Sequence, residues 1–177
     1  MSRYEMVARA TRSPLGEIVV AAREAGICRV VIGTSLQGDW LRWFEREYGA
    51  RPRLGSHHWV ERFVRELEEY VAGERRSFDV PVVLAGTEFQ ERVWRLLLEI
   101  PYGATKTYGE LARELGNPRS CRAVGRAAAQ NPVPILVPCH RLVGAGGRLV
   151  GFSAGLELKE RLLEIEGVRL RWNGAAG

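Results

Sequence analysis

The chain has 177 residues, of which 46% are hydrophobic and 27% charged, and it carries a formal net charge of +5. This length buries a core in one domain or two small ones without covalent staples, the composition excludes a disordered chain, and no apolar run approaches the roughly 20 residues of a membrane helix. The first residues lead straight into alternating sequence without the apolar core and cleavage site of a secretory signal, so a cytoplasmic protein with no membrane partner is expected.

The positive balance favours a polyanionic partner such as nucleic acid. All the basic residues except Lys106 and Lys159 are arginine, whose planar fork pairs with phosphate and stacks on bases. Three cysteines, Cys28, Cys121 and Cys139, form no CxxC pair, and His57, His58 and His140 stand at no ligand spacing. A disulfide framework and a zinc ribbon are both disfavoured, and neither metal nor cofactor is expected.

In chain order, Tyr4 to Ala10, Gly16 to Ala22 and Ile27 to Ile32 are β-rich runs split by Arg12-Ser13-Pro14-Leu15-Gly16 and Glu24-Ala25-Gly26. Two turn signals between three runs predict an antiparallel meander. Leu36, Trp40, Trp43, Phe44 and Glu47 then keep helical spacing, and Trp59, Phe63, Leu67, Tyr70 and Val71 repeat it. From Gly73 through Pro81 to Gly86 no helical period survives, which places a domain boundary there. The expected division is 1–85, 86–170 and a tail at 171–177.

Beyond the boundary the pattern is helical. Thr87 with Gln90 fits a capping box, and Phe89, Val93, Leu96, Leu97 and Ile100 form one apolar face that Pro101-Tyr102-Gly103 stops. Thr107 with Glu110 is a second box, leading Tyr108, Leu111, Ala112 and Leu115 to Gly116. Asn117 and Pro118 read as N-cap and first residue of a helix from Pro118 to Gln130. Two helices joined by a Gly-containing turn make a helix-turn-helix. Small residues in the second, Ala123, Gly125, Ala127, Ala128 and Ala129, allow close approach to a neighbour, with Arg119, Arg122 and Arg126 projecting among them; on this pattern alone helix packing is favoured over DNA. The predicted class is α+β: a small N-terminal domain with a short antiparallel sheet and helices, then a mainly helical C-terminal domain carrying the helix-turn-helix.

The run Asn131-Pro132-Val133-Pro134-Ile135-Leu136-Val137-Pro138-Cys139-His140-Arg141 carries the chemistry. Pro138 cannot donate a backbone hydrogen bond and restrains its neighbour, so Cys139 sits on a stiff turn. A thiol with pKa about 8.5 is only a few per cent thiolate at neutral pH and needs a base or a positive neighbour; His140 and Arg141 are candidates, the histidine acting through a bridging water because adjacent side chains diverge. Asn131 and Glu166 are both candidates for the group that orients the histidine. Cys28 and Cys121 are expected to pack.

Pro138-Cys139-His140-Arg141, preceded by Asn131-Pro132-Val133-Pro134 and followed by Gly155-Leu156, Lys159-Glu160, Leu162-Leu163 and Glu166-Gly167, resembles the O6-alkylguanine-DNA alkyltransferase family. The resemblance runs from Thr87 to Gly167, and Ser13-Pro14-Leu15-Gly16 with Gly26-Ile27 is similar to the family's more variable small domain. It implies a monomer that repairs double-stranded DNA by flipping out O6-alkylguanine, or O4-alkylthymine, through a minor-groove helix-turn-helix and transferring the alkyl group irreversibly to Cys139. His140 would be the water-mediated base, Glu166 its polarising acid, and Asn131 the brace of the turn. Tyr108 would press on the rotating phosphate and donate to guanine N3, and Arg122 would fill the gap in the duplex. Asn117 matches a backbone-contacting position, Ser153 offers its amide to O6, Lys159 supports the charged pocket, and Phe152 and Leu142 belong to the substrate-binding set. Gly151-Phe152 departs from the Gly-Tyr of many members, removing a hydroxyl from the pocket wall. A lesion sensor of the same family would have lost the acceptor cysteine, whereas a helix-turn-helix regulator would bind sequence-specifically as a dimer; the retained Cys139 favours transfer.

Overall fold

Ser13 closes the first hairpin by donating its hydroxyl to Gly16 O at 2.9 Å and accepting from Leu15 N at 3.1 Å. The computed structural model describes residues 5–33 and 40–170, in two compact units that divide between Leu84 and Ala85. No helix among the described residues is long and apolar enough to cross a membrane.

In the first unit β1 (Val7–Ser13), β2 (Gly16–Arg23) and β3 (Gly26–Ile32) form the expected antiparallel meander. β1 continues three residues past Ala10, because Thr11, Arg12 and Ser13 still pair with Ile18, Glu17 and Gly16 and the turn is correspondingly tight. The sheet is mixed rather than purely antiparallel: β4 (Arg53–Leu54), in the segment between the two helices, lies parallel to β1, giving the order β3-β2-β1-β4. Two residues are too few to show a period of two. Helix α1 (Trp40–Tyr48) sets Phe44 into a cluster with Met6, Ala8, Val19, Ala21 and Cys28. Helix α2 (His58–Val71) buries Val60, Phe63, Leu67 and Tyr70 and packs on β1, β2 and β3. Residues 4, 36 and 171–177 of the predicted elements lie outside the described residues.

The second unit opens with α3 (Glu88–Leu98), whose Thr87 and Gln90 form the predicted reciprocal capping box. Its buried face is Val93, Trp94 and Leu97, with Ile100 just beyond. Trp94, which the apolar spacing passed over, donates its indole N–H to Ala127 O at 2.8 Å and so ties α3 to the following helix pair. Helix α4 (Tyr108–Glu114) carries the second capping box, from Thr107 and Glu110. Asn117 caps as expected, its side chain accepting from Arg119 N at 3.2 Å. The helix after it is not continuous, however: Pro118–Ser120 is a 3₁₀ turn, and α5 spans Cys121–Ala129. A tightened first turn is common where proline and a side-chain cap set the start of a helix.

Two features bring the rest of the chain back to this helix pair. β5 (Lys106–Thr107) and β6 (Leu142–Val143) form a two-residue parallel ladder, placing the segment that follows Arg141 beside the start of α4. Helix α6 (Leu156–Ile165) then buries Lys159, Leu162 and Leu163.

Candidate active site

Every residue from Asn131 to Gly144 is buried, so the backbone of this irregular run must find partners inside the protein. Asn131 supplies several. Its Oδ1 accepts from Val133 N at 3.0 Å, while Nδ2 donates to Val137 O at 2.8 Å and to Cys139 Sγ at 3.2 Å. One amide thus fastens both ends of the loop and touches the thiol. Between those ends Ile135 holds φ at 75°, a left-handed conformation that is an outlier for a β-branched residue and is kept only where the surroundings over-determine it. Its side chain is 2% exposed.

Cys139 begins a single 3₁₀ turn, Cys139–Arg141, closed by Arg141 N donating to Pro138 O at 3.0 Å. Burial pushes its thiol pKa up; the Asn131 hydrogen bond and the Lys159 charge pull the other way. The turn sends the two following side chains inward. His140 Nε2 lies 2.8 Å from Glu166 Oε1, with both side chains fully buried. Burial holds the imidazole pKa below its usual value, opposed by Glu166. A neutral imidazole facing a carboxylate through Nε2 carries its proton there, which leaves the lone pair on Nδ1.

Arg141, one of the two candidate activators of the thiol, is committed elsewhere. Its Nε lies 2.9 Å from Glu166 Oε2, its Nη2 lies 2.9 Å from Oε1, and its Nη1 donates to Ile100 O. Glu166 also accepts from Gly103 N at 3.1 Å. The cation coupled to the thiol is instead Lys159, on α6. Its Nζ donates to Val150 O at 2.7 Å and Gly151 O at 3.0 Å, and burial brings its pKa down to about 8. Tyr108, first residue of α4, lies beneath the same segment, with Lys159 Nζ 5.9 Å from its ring centroid. Burial raises the phenol pKa.

Above these groups opens a cleft of about 660 Å³. Tyr108, Arg122, Cys139, Phe152 and Ser153 line it, as do Cys121, Gly125, Arg126 and Val150. Asn131, His140, Glu166 and Lys159 are buried beneath this lining. Asn117 is exposed at its cap and does not line the cleft. Leu142 is fully buried in β6 and does not line the cleft. Cys28 packs in β3 with its thiol pushed up to about 11 by burial, whereas Cys121 does not simply pack: it is half-buried and faces the cleft. Of the three arginines that project from this helix in the sequence pattern, Arg122 and Arg126, one helical turn apart, line the cleft, and Arg119 does not.

The described residues contain no group of three or more His, Cys, Asp or Glu side chains that could hold a metal ion. The arrangement brings together a buried thiol lining an open cleft, a donor on the sulfur, an imidazole held by an acid, and a phenol and an ammonium that share the Val150 and Gly151 carbonyls.

The sequence profile of the 6-O-methylguanine DNA methyltransferase DNA-binding domain matches residues 88–168, and that of the ribonuclease-like domain of the same protein matches residues 6–84. The chain belongs to the O6-methylguanine DNA methyltransferase family. Its enzyme class is methylated-DNA–protein-cysteine methyltransferase, a DNA-binding class of repair proteins. It is 50% identical to the methylated-DNA–protein-cysteine methyltransferase of Methanosarcina mazei, over 88% of this chain and 93% of that one. With the enzyme of that description from Methanosarcina acetivorans it shares 45% identity, over 88% and 94%. Among solved structures, Mycobacterium tuberculosis OGT in complex with DNA superposes with a TM-score of 0.76 at 38% identity, covering 90% of this chain and 92% of that one. The α+β class and the helical second unit agree with these relatives.

Proposed function

We propose that Cys139 Sγ accepts the alkyl group of O6-alkylguanine in duplex DNA, once per molecule. The observation that carries this reading is the thiol itself: it lies at the base of an open cleft with an Asn131 donor at 3.2 Å, and the next residue, His140, is paired with Glu166 at 2.8 Å. The O6 atom is stacked and base-paired in a duplex, so the nucleotide must be extruded, at a cost of a few kcal/mol of unstacking. Arg122, exposed on α5 at the edge of the cleft, supplies a side chain to occupy the gap from the minor-groove side. The solved DNA complex of the Mycobacterium tuberculosis relative and the positive net charge support a duplex partner.

The transfer then balances as follows. His140 Nδ1 takes the thiol proton through a water molecule, and sulfur attacks the alkyl carbon. The carbon–O6 bond breaks, its electron pair leaving on the guanine. Tyr108 Oη gives a proton to N3 and the Ser153 amide donates to O6, so that the developing charge is met by placed donors; His140 then releases the thiol's proton to solvent and Tyr108 regains one from it. The product is a thioether with no hydrolytic exit, which ends the molecule's activity. Asn117 meets the DNA backbone outside the cleft, and O4-alkylthymine is accepted by the same displacement. The protein acts as a monomer in the cytoplasm, on nucleoid DNA.

Intact-protein mass spectrometry after mixing with a duplex containing O6-methylguanine tests this. The expected result is a stoichiometric gain of one methyl group, absent in Cys139→Ala; continued turnover, or no adduct, overturns it. A duplex containing O4-methylthymine gives the same readout for the second substrate. Phe152→Tyr, which adds a hydroxyl to the cleft wall, should change the rate or the preferred alkyl size, and identical kinetics would reduce this position to packing.

A further inference from the structure

We infer that Arg126 binds the DNA phosphate beside the extruded nucleotide, as a positioning residue distinct from the side chain that fills the stack. This rests on the alkyl-transfer reading given above.

Arg122 and Arg126 are four residues apart on α5, roughly 6 Å along its axis and on one face. Both are exposed, and both line the cleft that has Cys139 at its base. They are the only charged side chains among the described residues of that lining, which includes no carboxylate. Among the other arginines of this unit, Arg95 pairs with Glu91, Arg92 donates to Leu115 O, and Arg141 holds Glu166. Neither cleft arginine is drawn into such a bond among the described residues.

A guanine that enters this cleft brings its phosphates to the mouth, because the sugar-phosphate chain remains continuous with the duplex. The rest of the lining is largely apolar or uncharged, with Ala128, Ala129, Val150 and Phe152 among it, and cannot neutralise a phosphate. If Arg122 is committed to the gap in the stack, Arg126 is the remaining cation of the lining, and its planar fork suits bidentate pairing with two phosphate oxygens. The helix is held close enough for this to matter. Gly125, between the two arginines, lies so near Tyr108 that an added Cβ would stand 3.7 Å from the ring, which ties the approach of Arg126 to that of the residue proposed to protonate the base.

Such a contact has a signature that a surface charge elsewhere lacks. Each phosphate neutralised contributes about 0.9 to the slope of log affinity against log salt. In Arg126→Ala the slope for an O6-methylguanine duplex should fall by about 0.9, so that the wild-type advantage shrinks about threefold between 50 and 200 mM salt. Methyl transfer from duplex should slow by a larger factor than reaction with free O6-benzylguanine, which has no phosphate. Arg95→Ala removes the same charge from α3 and serves as the control, with an unchanged slope. The inference is overturned by a wild-type slope in Arg126→Ala, by an equal change in Arg95→Ala, or by equal slowing on duplex and free base. Absence of a methyl adduct on wild-type Cys139 would remove the underlying reading and this one with it. A normal adduct with an unchanged slope would remove this one alone.

Discussion

Lys159 and Tyr108 meet at the same two carbonyls. Lys159 Nζ donates to Val150 O and Gly151 O at 2.7 and 3.0 Å, and Tyr108 Oη reaches them at 3.3 and 3.4 Å. Gly151 makes this possible in two ways: its φ is 56°, and a Cβ there would lie 3.1 Å from the phenol oxygen. The segment that bears Phe152 and Ser153 is therefore held from below by a buried ammonium and a half-buried phenol.

Replacing that ammonium tests its two roles. Lys159→Met keeps the length and apolar stem but removes the charge that favours the Cys139 thiolate. The reaction with O6-benzylguanine should slow about tenfold, the effect of one lost contact of ~1.4 kcal/mol, and its pH profile should move to higher pH. Stability carries a second sign. The folded pKa of Lys159 is about 8 against an ordinary 10.5, so between these values the unfolded chain binds the extra proton and stability rises with pH. Lys159→Met should remove that rise, as measured by urea unfolding at pH 8 and pH 10.

Asn131→Asp changes one atom of the loop's fastener. The aspartate still accepts from Val133 N, but it cannot donate to Val137 O or Cys139 Sγ, and it sets a negative charge beside the thiol. Alkylation should become slower and its pH profile should move upward, while Asn131→Gln, which retains the donor, should lose less. Equal rates in Asn131→Asp and wild type would show that the contact to sulfur has no kinetic role.

Glu166→Gln leaves Arg141 buried without its carboxylate. Breaking a buried ion pair from one side costs roughly 3–5 kcal/mol, and unfolding by urea should register a loss of that size. His140 loses the acid that fixes its tautomer, so alkylation should fall further than the unfolded fraction explains.

Acid stability follows from His140. Its folded pKa is depressed by burial, so the folded state stays neutral where the unfolded imidazole takes up a proton. The stability this provides is fully present above the unfolded value of about 6.5 and is lost as the pH falls below it. The slope of unfolding free energy between pH 7 and pH 5.5 should be smaller in His140→Gln than in wild type.

The sequence made the site legible through residues whose type and spacing are themselves chemical statements. Asn131, Cys139, His140 and Glu166 could be named before any contact was known, and Thr87, Thr107 and Asn117 announced helix starts because a cap is a local hydrogen bond. What could not be read depends on long-range approach. The choice between Asn131 and Glu166 as the histidine's partner turned on a loop of unusual conformation, with Ile135 at a positive φ. Arg141 was read as a neighbour of the thiol because it is near in sequence, yet the 3₁₀ turn sends its guanidinium to Glu166. Leu142 lies buried in β6, and β4, β5 and β6 are too short for any periodicity to reveal. Trp94 donates to the Ala127 carbonyl, 33 positions away, a contact that no local spacing reveals.

Glu166, at the end of α6, is joined to Gly103, His140 and Arg141. Its separation from His140 is 26 positions, so during synthesis the ribosome releases the cysteine well before the acid. A growing chain that already displays Cys139 has an imidazole with no orienting carboxylate and an arginine with no counter-charge, and α6 has yet to deliver Lys159. The orienting acid is thus the last of these groups to be made, and the arranged site exists only once the end of α6 has returned to the turn that bears Cys139.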